Sequence, residues 1–281
     1  MRIDLHTHSN VSDGTEDPAA VMAAAHLAGL GAVALTDHDS TAGWGAAARA
    51  AARLGIAFVP GMEVSCRTQT GVSVHILSYL QDPTHPGLLG EISHSRASRL
   101  TRAQRMVELL AEDFPISWEI VQEHVAEDAT IGRPHIADAL VSVGVIRDRS
   151  EAFTTLLTAR SRYWIGHYAP DPVTAVALIR AAGGVPVFAH PAASARGTVV
   201  GEDALEEMIA AGLLGLEVDH RDNPEPARAR LRSIAVAQGL FVTGSSDYHG
   251  RGKPNRLGEH LTDPLVLERI ESLGTGTPVA R

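Results

Sequence analysis

Short apolar runs alternate with alanine-rich stretches at both ends of this chain, and that alternation limits its fold more than any other feature. A helix between two strands returns the chain to the starting edge of a sheet, so strands joined in this way run parallel. Strands are expected at residues 3–6, 32–35, 56–59 and 72–79. Between them, Asp17 caps a helix that opens on Pro18 and stops at Gly29, and residues 43–54 form a second helix. The alternation fails near Asp82, where arginine-rich helical runs such as SHSRASRLTRAQRMVELLAED and RPHIADALVSVG take over. It resumes with a helix from Asp171-Pro172 to Gly183-Gly184, strands at 185–189, 216–218 and 240–243, and helices at 202–211 and 226–238. The expectation is a barrel-like α/β body with a largely parallel sheet, built from residues 1–82 and 169–281. A helical insertion over 83–168 interrupts it.

At 281 residues the chain can bury a large core without staples. One cysteine, Cys66, excludes an internal disulfide framework and fits a reducing compartment. The opening MRIDLHTHS has no apolar signal core, so a cytoplasmic location is expected. No apolar run approaches the ~20 residues of a membrane span. A net charge of −9 argues against a duplex-DNA binder, which needs a basic face to displace counterions. It leaves room for a small phosphorylated ligand or short single-stranded RNA in a local basic pocket. No obligate protein partner is evident.

Fourteen histidines are the informative excess, because imidazole is the commonest metal-binding side chain. Several sit where strands are expected to stop. His6 and His8 lie two apart in DLHTH, so an extended chain points both the same way. Asp13 follows in the next loop, and His38 follows the second strand. Glu63 follows the third, His75 lies in the fourth, and His190 ends the strand VPVFAH. Asp247 and His249, again two apart, follow the last strand. Active sites of barrels and parallel sheets collect at the carboxyl ends of strands. The set mixes nitrogen and oxygen donors without a thiolate, which suits Zn²⁺, Mn²⁺ or Fe²⁺. Paired cations of this kind acidify water and clamp phosphoryl oxygens.

The motifs DLHTHSNVSDG, TDHD, GMEVS, FAHP and SSDYH, in this order, resemble the polymerase and histidinol phosphatase (PHP) family across essentially the whole chain. The resemblance implies a distorted (β/α)7 barrel and two or three divalent metals, manganese first, with zinc, iron or magnesium as alternatives. By motif, one ion takes His6, His8, Glu63 and Asp247; a second shares Glu63 and adds His75 and His190; a third takes Asp13, His38 and His249. In the insertion, TIGRPHIADALV and RLTRAQRMVELL resemble members that remove phosphate from nucleoside 3′,5′-bisphosphates and degrade short RNA from its 5′ end. That similarity implies Arg99 as a phosphate contact, with Arg102 second to it. Gly132-Arg133-Pro134 opens a helix, where free N–H groups favour an anion, and Arg133 offers a planar fork with His135 beside it. Arginines at 96, 99, 102 and 105 spread over about half a helix circumference, so not all can face one site.

Rival readings are a histidinol-phosphatase-type enzyme, a proofreading nuclease for longer strands, and a non-enzymatic metal-binding module. The long insertion disfavours the first, the acidic balance the second, and the complete donor set beside arginines the third. Asp39 is expected either to orient His38 or to cap the next helix. Trp44, Trp118, Tyr163 and Trp164 are candidates to stack on a base, although large aromatics more often fill cores. His220 follows a strand end and is a candidate to line the pocket. His26, His85, His94, His124 and His260 lack partner spacing, and nothing assigns His167.

Overall fold

The computed structural model describes residues 1–194 and 197–281. The chain opens with β1 (Ile3–Asp4), α1 (Pro18–Leu27), β2 (Ala32–Leu35), α2 (Trp44–Leu54), β3 (Ala57–Arg67) and β4 (Ser73–Tyr79). Four helices follow: α3 (Pro86–Ala111), α4 (Trp118–Gln122), α5 (Arg133–Ser142) and α6 (Arg149–Thr154). The last part is α7 (Pro172–Ala181), β5 (Val185–Phe188), α8 (Glu202–Ala210), β6 (Gly215–Asp219), α9 (Glu225–Gln238), β7 (Phe241–Gly244) and α10 (Pro264–Leu273).

The seven strands form one sheet in chain order. Its two edges meet at a bridge between Thr7 and Tyr248, where the His8 amide donates to the Tyr248 carbonyl at 2.8 Å, so the sheet nearly closes into a barrel. Apolar side chains from successive strands, among them Ile3, Leu5, Val59, Leu77 and Val187, fill its inside. Asp17 caps α1 as expected, accepting the Ala19 and Ala20 amides through its carboxylate.

The sheet is largely parallel, as expected, with β4 running antiparallel to both of its neighbours, β3 and β5. One strand departs from the sequence reading: the third continues past 59, through Pro60 and Gly61 to Arg67. Proline lacks an N–H and glycine weakens a strand, so the local pattern ends there. The hairpin partner overrides it, pairing Gly61–Arg67 with Ser73–Tyr79 residue by residue. Glu63 therefore lies inside β3 rather than after it. The reversal of β4 also explains His75. Its position near the start of an antiparallel strand is at the rim where the parallel strands end.

Helices α3 to α6 pack round their own apolar cluster, which includes Met106, Leu110, Val121, Ile136 and Leu140. The first turns of α3 instead supply Leu88 and Ile92 to the cluster between sheet and outer helices. The helical part is clipped to the rim loop between β1 and α1 at two points. The Thr130 amide donates to Val11 O at 2.9 Å, and Arg149 Nη1 donates to Asp13 O at 2.8 Å. Among the described residues, no helix is long and apolar enough to cross a membrane.

Candidate metal centre

All nine donors singled out from the sequence converge at one rim of the barrel. His6 Nε2, His8 Nε2, Glu63 Oε2 and Asp247 Oδ1 face one another. Donors about 2.0–2.1 Å from one ion in a tetrahedron stand about 3.3–3.4 Å apart. The spacings are 3.0 Å for His6–His8, 3.3 and 3.1 Å from these to Glu63, and 3.5 and 3.4 Å to Asp247. The other oxygen of Glu63 serves a different set: Oε1 is 2.7 Å from His75 Nδ1 and 3.2 Å from His190 Nε2. A third set joins Asp13 to His249, with Oδ1 3.1 Å from Nε2, and to His38, with Oδ2 3.9 Å from Nε2. His38 is shared, because its Nδ1 also lies 3.2 Å from Glu63 Oε2.

The arrangement fits cations. His38 Nδ1, His75 Nδ1 and His249 Nε2 are buried without a hydrogen-bond partner, although each points at carboxylate oxygens. Orphaned buried nitrogens are costly unless an ion takes their lone pairs. Several outer nitrogens are also occupied. His6 Nδ1 meets Glu217 Oε1 at 2.9 Å, His249 Nδ1 meets Asp247 O at 2.8 Å, and His8 Nδ1 meets Ser12 Oγ at 3.3 Å. Ser12 in turn donates to Asp37 Oδ1 at 2.7 Å. Holding Nδ1 from outside turns Nε2 inward as a ligand.

Charge at the rim is strongly perturbed. Burial pushes the Glu63 carboxyl upward, but His38, His75 and His6 outweigh it and hold it well below the usual range. Burial disfavours a charged His8, yet bonds to Asp247 and Glu63 raise it to about 9. Burial and the neighbouring Lys253 ammonium depress His249 to about 4. Lys253 Nζ, the chain's one lysine, stands 3.0 Å from Asp247 Oδ2, on the side away from His6 and His8. His220 is buried beneath this rim, with its ring 5.2 Å from that of His190.

Beside the rim lies a cationic shelf. Of the four spaced arginines on α3, Arg99 and Arg102 turn inward. Arg96 and Arg105 turn away, to Asp128 O and Glu108. Arg99 Nε is 2.9 Å from Asp39 Oδ2, and its Nη2 donates to Ser65 Oγ. Asp39 thus neither orients His38 nor caps a helix: it takes the Ser65 amide at 2.8 Å and anchors Arg99 to the barrel. Arg102 and Arg133 lie over the Trp164 ring at 5.0 and 4.9 Å, so that ring is not free to stack on a base. Trp44, with its Nε1 on Gly61 O, and Tyr163, with its hydroxyl on Asp113, are core residues, and Trp118 packs against the insertion core. His135 spends Nδ1 on the Gly132 amide at 3.1 Å, at the start of its own helix.

Two members of the shelf had no signal in the local pattern, Arg67 at the end of β3 and His167. Burial followed by Arg133, Arg99 and Arg67 lowers Arg102 to about 9; burial followed by Arg99 and Arg67 lowers Arg133 to about 10. Burial and the same arginines drive His167 to about 2, so it is neutral. Arg67 Nε, Arg102 Nη2 and His167 Nδ1 have no hydrogen-bond partner. Among the described residues, the only ion pair made by these four arginines is Arg99–Asp39. A buried excess of positive charge with unmade N–H bonds has the chemistry to hold an anion.

Comparison with known proteins agrees with this geometry. Residues 4–140 match the PHP domain family. A 3′,5′-nucleoside bisphosphate phosphatase of Chromobacterium violaceum is 34% identical over 93% of this chain and 92% of its own length. The 5′-3′ exoribonuclease Rnm of Escherichia coli is 28% identical over 96% of this chain and 92% of its own. A crystal structure of a candidate metal-dependent phosphoesterase from Bifidobacterium adolescentis superimposes with a TM-score of 0.95 at 44% identity, covering 97% of this chain and 96% of that one.

Proposed function

The chain belongs to the PHP domain family and is a metal-dependent phosphoric ester hydrolase, and we propose that it removes phosphate from small nucleotides carrying two phosphates, with the 5′ end of short RNA as a second substrate class. The observation that carries this reading is the juxtaposition of two opposite demands: donors that require cations, bordered by arginines that require an anion.

In this reading His6, His8, Glu63 and Asp247 hold one divalent ion, and Glu63 reaches across to a second with His75 and His190. Asp13, His38 and His249 hold a third. Manganese is the metal proposed first, with zinc, iron or magnesium as the alternatives for an N/O set. Ions bound there supply Lewis acidity toward the scissile phosphoryl group and toward an attacking water. The protein's own part is to position: Arg99, Arg102 and Arg133, with Arg67, hold the phosphate that is not cleaved and fix the distance from it to the reacting ester. His135 sits on the same helix start as Arg133 and completes the cradle. Residues 83–168 form the substrate-holding insertion and residues 1–82 with 169–281 the metal-holding barrel. The lone cysteine, buried Cys66, is consistent with action in the cytoplasm.

The test is phosphate release from adenosine 3′,5′-bisphosphate, AMP, histidinol phosphate and a short 5′-phosphorylated RNA, with Mn²⁺, Zn²⁺ and Mg²⁺ compared. The bisphosphate should be turned over with the highest kcat/KM. Preference for histidinol phosphate would overturn the nucleotide assignment, and no release from any substrate would restore the non-enzymatic reading.

A further inference from the structure

Glu217 is a carboxylate in the middle of β6, fully buried, and outside the three donor sets. Its oxygens go to different partners. Oε1 lies 2.9 Å from His6 Nδ1, and Oε2 accepts the His190 backbone N–H at 2.8 Å. His6 faces the first donor set through Nε2, and His190 Nε2 faces Glu63 Oε1 in the second. One side chain therefore grips a residue of each set.

Both grips have chemical content. An ionised carboxylate only accepts hydrogen bonds, so the imidazole nitrogen facing it carries the proton. His6 Nδ1 is then the N–H, and Nε2 keeps a lone pair for the rim. His190 has a backbone φ of +33°, a left-handed conformation that a non-glycine residue keeps only when its surroundings enforce it. The bond from its amide to Glu217 is one such restraint. Asn223 ties the loops below: Nδ2 donates to Glu217 O at 2.9 Å and Val218 O at 3.0 Å, while Oδ1 accepts the Ala192 amide at 2.9 Å.

We propose that Glu217 is the positioning residue of the metal centre, setting the tautomer and ring plane of His6 and the backbone turn of His190, and so coupling the two ion sites that share Glu63. This rests on the metal-dependent reading above. Glu217 touches neither substrate nor ion and acts through the two histidines.

The test is Glu217→Gln. A glutamine has one accepting oxygen and one donating amide. If the amide faces His190 N–H, two donors collide. If it faces His6 Nδ1, it calls for a lone pair there and moves the proton to Nε2. Either way one of the two sites is disturbed directly and the other through Glu63. Calorimetric titration of metal-stripped protein with Mn²⁺ and with Zn²⁺ should give affinities about 10–100-fold weaker for both ions. The metal-free variant should keep its circular dichroism and melting temperature, a separation that a purely structural role would not produce. Wild-type affinity in a folded Glu217→Gln protein overturns the proposal. Should the variant not fold, histidine ¹⁵N spectra of Zn²⁺-loaded wild type decide it: a proton on His6 Nδ1 supports the proposal, and one on Nε2 overturns it. Wild type that binds no metal would sink the metal reading itself, whereas normal wild-type binding with an indifferent variant sinks only the role of Glu217.

Discussion

Arg102→Met should make the free protein more stable and its substrate binding worse. Arg102 is 5% exposed, lies near three other arginines and has no carboxylate partner. Displacing its pKa from 12.5 to about 9 penalises the charged form by about 5 kcal/mol at neutral pH. Against this stand one charge-assisted bond, Nε to Ile165 O at 3.0 Å, worth about 1.5–3 kcal/mol, and a cation–π contact with Trp164 worth about 0.5–2 kcal/mol. A methionine of similar length keeps the packing and removes the charge. The balance favours the variant by about 0–3 kcal/mol, or up to about 5 °C in melting temperature for a chain of this size. The sign has a pH signature. In wild type the penalty is fully present below pH 9 and is relieved as the pH climbs from about 9 toward 12.5, so the advantage of Arg102→Met should shrink over that window. Thermal melts from pH 7 to 10 measure the stability, and KM for adenosine 3′,5′-bisphosphate, which should rise about 10–100-fold, measures the binding. A variant that melts lower than wild type at pH 7 would refute the idea that the shelf is electrostatically strained.

His8→Ala and Asp247→Ala should each abolish phosphate release and lower metal content by elemental analysis; full metal with no turnover would contradict their place as ligands. Arg133→Ala should reduce kcat/KM for the bisphosphate about 10–100-fold, about 1.4–2.7 kcal/mol, while metal content stays normal; untouched kinetics would remove Arg133 from the substrate pocket. In the metal-free protein His8 is raised to about 9 from 6.5, so its pairing stabilises the fold fully below pH 6.5 and is lost as the pH rises through 9. The melting temperature of metal-free protein should therefore fall between pH 6.5 and 9, saturating Mn²⁺ should flatten that slope, and calorimetry at pH 7 in buffers of different ionisation enthalpy should detect protons released on binding. Metal binding without proton release would show that the rim histidines are already neutral.

The parts of this molecule legible in its sequence are those encoded locally. Alternating strands and helices, the Asp17–Pro18 cap and the His6/His8 and Asp247/His249 pairs depend on neighbours a few residues away. The reversed β4 does not: Pro60 and Gly61 look like a stop, and only the cross-strand partner shows that β3 continues through Glu63. Glu217 was visible as an acid inside the apolar run LEV, but its meaning lies in His6, 211 residues away. Arg67 and His167 gain their significance only when the insertion folds over the barrel, since neither has a local motif. Asp39 carried two local interpretations and follows neither, because its partner Arg99 comes from a helix sixty residues on.

Asp39 also bears on the proposal that the ligand carries two phosphates. It sits at the seam, next in sequence to His38 and ion-paired to Arg99, in a left-handed conformation with φ of +50°. On one side of it, carboxylate oxygens and imidazole nitrogens converge with lone pairs that cations would take; on the other, guanidinium groups repel one another unless an anion intervenes. One carboxylate cannot satisfy a shelf of four arginines, and it does not try: Arg67 Nε and Arg102 Nη2 remain unpartnered. A monophosphate drawn to the metals leaves that excess unrelieved, whereas a second phosphate a ribose away relieves it in the same binding event. The gain appears only when both groups are present, so the discrimination between bisphosphate and monophosphate should lie in the arginines rather than in the donors. Neutralising Arg102 and Arg133 together should then narrow the ratio of kcat/KM for adenosine 3′,5′-bisphosphate over AMP, and a ratio unchanged in that double variant would place the second phosphate elsewhere.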